Sequence, residues 1–146
     1  MKSLFLRTLQ VVATGIALLA SPLCAGMDHQ FVLQVPFNFM AGNQQFPAGS
    51  YSIKSDASAG SVLIRSEGEG PAAFILTYPA GDNKEQVLAK LVFNRYGDHY
   101  FLSQVWPAGI AGRELSKSRQ EVEVAKAGSR PEVLSLVASG PRKAPR

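Results

Sequence analysis

The chain has 146 residues, a formal net charge of +4 and a single cysteine, a size suited to one compact unit and a cysteine count that leaves no intrachain disulfide. Of 15 basic side chains against 11 acidic ones, Arg130, Arg142, Lys143 and Arg146 gather near the C-terminus, so the excess of charge is local. That distribution argues against a globally basic surface for nucleic acid.

Lys2 and Arg7 lead into an apolar run from Leu9 to Ala20, which Pro22 and then Leu23-Cys24-Ala25-Gly26 follow. This is the pattern of an export signal over residues 1–25, cleaved after Ala25. The apolar run is short for a membrane span and lies close to Arg7 and Gln10, and Pro22-Leu23 ahead of Cys24 do not suit lipid attachment. An uncleaved anchor and an acylated cysteine are therefore the lesser alternatives, and membrane contact is expected only through this segment if it stays uncleaved. Cleavage removes Lys2, Arg7 and the only cysteine, which leaves 13 of the 15 basic side chains against the same 11 acidic ones. An exported β-rich domain over residues 26–139 then relies on its core alone, and 140–146 form a flexible basic tail.

From His29 to Phe39 the apolar residues Phe31, Leu33, Val35, Phe37 and Phe39 fall on one parity, the mark of a half-buried strand. Pro36 cannot donate to a ladder and assigns that strand to a sheet edge or a bulge. Gly42-Asn43 turns the chain, and Phe46-Pro47-Ala48-Gly49 has the type I turn pattern that delivers Tyr51 and Ile53 into a second strand. Ser61–Ser66 and Ala72–Tyr78, separated by Gly68-Glu69-Gly70, read as a hairpin, and Pro79 to Asn83 as a loop.

The stretch Leu88–Trp106, LAKLVFNRYGDHYFLSQVW, organises the rest. Gly97-Asp98 between two apolar and aromatic runs predicts a hairpin with a two-residue loop, because Gly97 can take the positive φ that a primed turn demands. The pairing then runs Tyr96 with His99, Arg95 with Tyr100, Phe93 with Leu102, Leu91 with Gln104 and Ala89 with Trp106. Ala89, Leu91, Phe93, Leu102 and Trp106 share the predicted core face. Val92, Phe101 and Val105 fall on the other face among Lys90, Asn94, Ser103 and His99, which predicts partial cover there.

After Gly112 the chain is densely charged. Ser118 with Glu121 has capping-box spacing and Gly128 suits the position past a helix end, so a short helix over 119–127 is expected. The alternation of Val122 and Val124 with Glu121 and Glu123 would also suit an exposed edge strand. Val133, Leu134, Leu136 and Val137 supply a last strand. With turn signals every eight to twelve residues and no long helical period, the chain reads as mainly all-β: an antiparallel sandwich or partly closed barrel of about seven or eight strands with a short C-terminal helix.

Two motifs carry a resemblance. Residues 35–51, VPFNFMAGNQQFPAGSY, and the central hairpin followed by Gly112-Arg113-Glu114-Leu115 and Lys117-Ser118-Arg119 resemble a family of small exported proteins that is abundant in soil bacteria and has no assigned function. The likeness covers most of the mature chain and implies an exported β-rich domain. The chain departs from the pattern at Asn94, where relatives commonly carry histidine.

Few side chains suit catalysis. His29 and His99 are the only histidines, and His99 borders a turn beside Asp98, where a solvated imidazole is the simpler reading. No serine has the glycine-flanked spacing of a hydrolase elbow. Glu67 with Glu69 sits in a glycine-rich turn and Glu121 with Glu123 among basic residues, so neither pair suggests glycoside hydrolysis. Two distant histidines make a poor zinc site, and Gly68-Glu69-Gly70 a poor phosphate cradle. No catalytic residue, metal ligand or cofactor is assigned. The aromatic residues of the hairpin are mostly core, and an exposed recognition patch is expected from Arg95, Tyr96 and Tyr100, with Arg113 and Arg119 behind them. A non-catalytic binding or structural module of the envelope is the leading expectation; a small barrel carrying an apolar ligand is second and a hydrolase third.

Overall fold

The computed structural model describes residues 29–83 and 85–139. The described residues form ten strands and one helix: β1 His29–Val35, β2 Phe39–Ala41, β3 Gln44–Phe46, β4 Gly49–Asp56, β5 Ser61–Ser66, β6 Ala72–Gly81, β7 Lys90–Tyr96, β8 His99–Trp106, β9 Gly112–Leu115, α1 Arg119–Lys126 and β10 Glu132–Val137. The expected strands are present, with Pro79–Gly81, expected as loop, extending β6, and the count rises to ten through β2, β3 and β9. Each of these is only three or four residues long, too short to show a period in the sequence.

Strands β1, β4, β5 and β6 form an antiparallel run, and β6, β9, β8, β7 and β10 form a second. Strand β6 belongs to both. Its residues 72–76 pair with β5, and from Thr77 onward it pairs with β9, with an irregularity between Pro79 and Gly81. A proline and a glycine at that position fit a strand that must bend from one layer to the next. Strand β2 meets β8 in parallel at Met40 and Phe101, and β3 lies outside β2. The sheet is not closed into a barrel, which decides between the two expected architectures in favour of the sandwich-like one. The strand expected from His29 to Phe39 breaks ahead of Pro36: β1 ends at Val35 and stands at a sheet edge, and Phe39 opens β2.

Both layers feed one core. Leu33, Val35, Tyr51, Ile53, Val62 and Ile64 from the first pack with Leu91, Phe93, Leu102, Val105 and Leu115 from the second. Phe39 and Phe46, brought in by β2 and β3, complete it, their rings 5.2 Å apart and stacked, with Tyr51 edge-on to both. Aromatic groups arranged this way are worth about 0.5–1.5 kcal/mol per pair beyond the area they bury.

The central hairpin keeps its predicted pairing only as far as Phe93 and Leu102. Beyond that point Val92 pairs with Gln104, Leu91 with Val105 and Lys90 with Trp106. Ser103 is an extra residue in β8, a bulge that moves every later side chain of that strand to the opposite face. Val105 therefore takes the core place expected of Trp106 and is wholly buried. The indole lies on the outer face, where its Nε1 donates to Gln104 Oε1 at 2.9 Å and the Lys90 ammonium sits 5.4 Å from the ring. Gly112 makes room for it, since a Cβ there would lie 2.5 Å from the indole.

The outer face of the hairpin is more covered than the sequence suggests, with Val92, Tyr96 and Phe101 buried. Helix α1 is tied to this face. Ser118 caps it by accepting from the Glu121 N–H at 3.1 Å, but the Glu121 carboxylate does not complete the capping box. It turns into the sheet, where Asn94 Nδ2 and the Tyr96 hydroxyl donate to its Oε1 at 2.9 and 3.3 Å.

Two substitutions test this frame. Gly97 has φ +60° with open space around its Cβ position, and it alone of the turn pair is positive, as in a II′ turn. Gly97→Val is expected to lower stability by on the order of 1–3 kcal/mol through backbone strain alone, and Gly97→Asn by much less; equal denaturation midpoints for the two variants would contradict the turn. Gly112→Ala is expected to cost about 1–3 kcal/mol by overpacking and to shift the emission of the single tryptophan.

Candidate functional site

The five residues expected to form one recognition patch are divided by the pleat. Adjacent residues of a strand face opposite ways, so Tyr96 cannot share a face with Arg95. Its ring is 2% exposed and lies edge-on to Phe101, the centroids 5.8 Å apart. Arg95 stays half-exposed, donates from Nε to the Gly97 carbonyl at 2.8 Å, and reaches Glu132 at 3.5 Å. It also lies over the Tyr100 ring, which is stacked on Phe37 with centroids 3.9 Å apart. Arg113 is 7% exposed and serves the fold: its Nε donates to Thr77 Oγ1 at 2.9 Å and its Nη2 to the Thr77 carbonyl at 2.7 Å, pinning β9 to β6 where β6 changes layer. Arg119 is exposed at the start of α1. Only Arg95 and Tyr100 remain together at the surface.

His99 is exposed and, with Asp98, Gln45 and Gln120, borders a polar cleft of about 240 Å³. Glu121 and Glu123, neighbours in sequence, part: the first is buried and the second exposed. Among the described residues no three or more histidine, cysteine or acidic side chains gather as a metal site would require.

The larger concavity lies elsewhere. It is a groove of about 790 Å³ running beside β1, walled by Phe31, Val32 and Leu33 on one side and by Val87, Leu88 and Val137 on the other. Gln30, Gln34, Ser50 and Ser139 are its polar lining, and none of the described lining residues carries a charge. Val87 is 84% exposed and Val137 55%, which leaves aliphatic side chains bare along the trough. The far wall is fixed in place. The Gln86 side chain donates from Nε2 to the carbonyls of Leu88 at 2.7 Å and Trp106 at 3.3 Å, the Gly109 N–H donates to the Gln86 carbonyl at 2.9 Å, and the Ala138 N–H to the Ala89 carbonyl at 2.7 Å. The alternation of β1 and the absence of charge in it are visible in the sequence. That Val87-Leu88 stands across from it is not, because that pair reads there as the approach to the central hairpin.

A second bare surface is the outward row Phe74, Leu76 and Tyr78 on β6, each more than 60% exposed. No family model, curated protein or solved structure matches this chain.

The phenols of Tyr51 and Tyr96 have raised pKa values, in both cases through burial and for Tyr96 also through the Glu121 carboxylate beside it. The neutral phenol is the form the fold stabilises, so this contribution is complete below pH 10, where tyrosines of the unfolded chain ionise, and is lost as pH rises through the folded values. Thermal stability is expected to fall from about pH 10 upward. Tyr96→Phe is expected to cost about 1 kcal/mol at pH 7 through the lost hydrogen bond and to make the alkaline fall shallower; an unchanged alkaline slope would count against the buried Tyr96–Glu121 contact.

Proposed function

We propose that the protein is an exported, non-catalytic module of the cell envelope or the secreted space, which acts by holding an apolar partner in the groove beside β1. The observation that carries this reading is the groove itself, an uncharged aliphatic trough of about 790 Å³ with a hydrogen-bonded wall. Export is supported by the basic start and apolar run of residues 1–25, which lie outside the described residues. A non-catalytic role is supported by the scatter of the candidate groups: His99 in one cleft, Glu121 engaged by Asn94 and Tyr96, Arg113 engaged by Thr77.

The apolar lining also favours a second reading, carriage of a small apolar ligand. With the sheet open, that ligand lies in a trough and not in the enclosed lumen a barrel would provide.

The test uses the apolar fluorophore 1-N-phenylnaphthylamine and variants at exposed positions, where folding is not at stake. Binding is expected to weaken at least tenfold in Val87→Glu and in Leu88→Glu, and to stay unchanged in Leu76→Glu on β6. Equal binding by all three variants would remove the groove from the proposal. Turnover of any substrate in a hydrolase screen, abolished by His99→Ala, would overturn the non-catalytic assignment. The mass of the mature N-terminus is expected to correspond to cleavage after Ala25.

A further inference from the structure

The nature of the partner follows from what borders the groove. We propose that an extended, uncharged peptide segment of a second protein adds as a strand to the free edge of β1 and seats alternate apolar side chains in the groove. The proposal rests on the reading of the protein as an association module and names the chemistry of its partner.

Strand β1 pairs with β4 over seven residues without a register shift and, among the described residues, has no strand on its other side. Exposed edges are ordinarily blunted by charge, proline, a bulge or brevity. The residues from Gln30 to Val35 carry none of the four, whereas β3, also at an edge, is three residues long and β10 begins with Glu132 and its Arg95 contact. A row of unpaired backbone donors and acceptors therefore lies along one lip of the trough. A strand laid about 4.8 Å outside β1 would direct every second side chain to the parity of Phe31 and Leu33, toward Val87, Leu88 and Val137.

Charge selects the partner further. A charged side chain in this lining would be desolvated against aliphatic groups and neutral amides, so the inserted positions must be uncharged. A second copy of this chain does not meet the requirement through its own β1, because Leu33 and Val35 of that strand are already buried in their own core and would bring nothing to fill the trough.

The test is amide hydrogen exchange on the isotope-labelled protein with a nine-residue peptide alternating leucine and threonine. The β1 amides that do not bond β4 are expected to slow at least tenfold. Affinity is expected to fall at least tenfold in Val87→Glu, or when the central leucine of the peptide becomes aspartate, and to be unchanged in Val133→Glu, an exposed position outside the groove. Absence of protection along β1 while 1-N-phenylnaphthylamine still binds would overturn the strand and leave the association module standing. Loss of both would remove both. A dimer in light scattering that Val87→Glu dissociates would replace the peptide by a second copy and overturn the proposal.

Discussion

The β7–β8 hairpin is covered on both faces, and most of the architecture follows from that constraint. Its inner face gives Leu91, Phe93, Leu102 and Val105 to the core; its outer face buries Val92, Tyr96 and Phe101. A hairpin of a two-layer sandwich normally leaves one face to water. One element tied to that second face is the eight-residue helix α1, whose one buried residue, Glu121, accepts from Asn94 and Tyr96. A helix of that length is marginal by itself, so it must be held by tertiary contacts. The Asn94, Tyr96 and Glu121 cluster meets that need: two neutral donors from β7 converge on one carboxylate oxygen. A carboxylate taken from water without hydrogen bonds is strongly unfavourable, so position, partner and helix depend on one another.

The same two-sided demand explains the bulge at Ser103. Perfect alternation would place Trp106 in the core and Val105 outside, and a core already holding Phe39, Phe46, Tyr51 and Phe93 would have to take an indole as well. Inserting one residue exchanges the pair, puts the small β-branched side chain inside and leaves the indole on the outer surface over Gly112. On that outer face the indole N–H donates to Gln104 Oε1.

How much of this the sequence discloses depends on the range of the signal. Local chemistry is legible: the positive φ of Gly97, the cap at Ser118, the edge position imposed by Pro36 and the parity of β1, β4 and β7 all follow from neighbours a few residues apart. The Ser103 bulge has no local mark, because nothing in LSQVW distinguishes an inserted residue from an alternating one. The short strands β2 and β9 lie against longer strands, and β3 pairs with β2, so each is defined by a partner distant in sequence or by a turn and not by a period of its own. The expected patch failed for a simpler reason. Arg95, Tyr96 and Tyr100 are close along the chain or across the turn, but the pleat separates Tyr96 from the other two, and Arg113 finds a carbonyl and a hydroxyl on Thr77 before it finds solvent.

The groove combines segments more than fifty residues apart, and its chemistry follows from how the two layers end. Strand β1 closes the first layer and β10 the second, and the chain enters β7 between them at Val87–Ala89. Were the lining of the trough charged, water would fill it and its apolar walls would lose little by exposure to it. Because the lining is uncharged and the Gln86 contacts hold the wall open, the apolar surface can neither collapse onto itself nor bind water well. A fold that fixes such a surface next to a strand edge unpaired among the described residues sustains a local conflict, and such conflicts in otherwise consistent proteins concentrate at functional or strained sites.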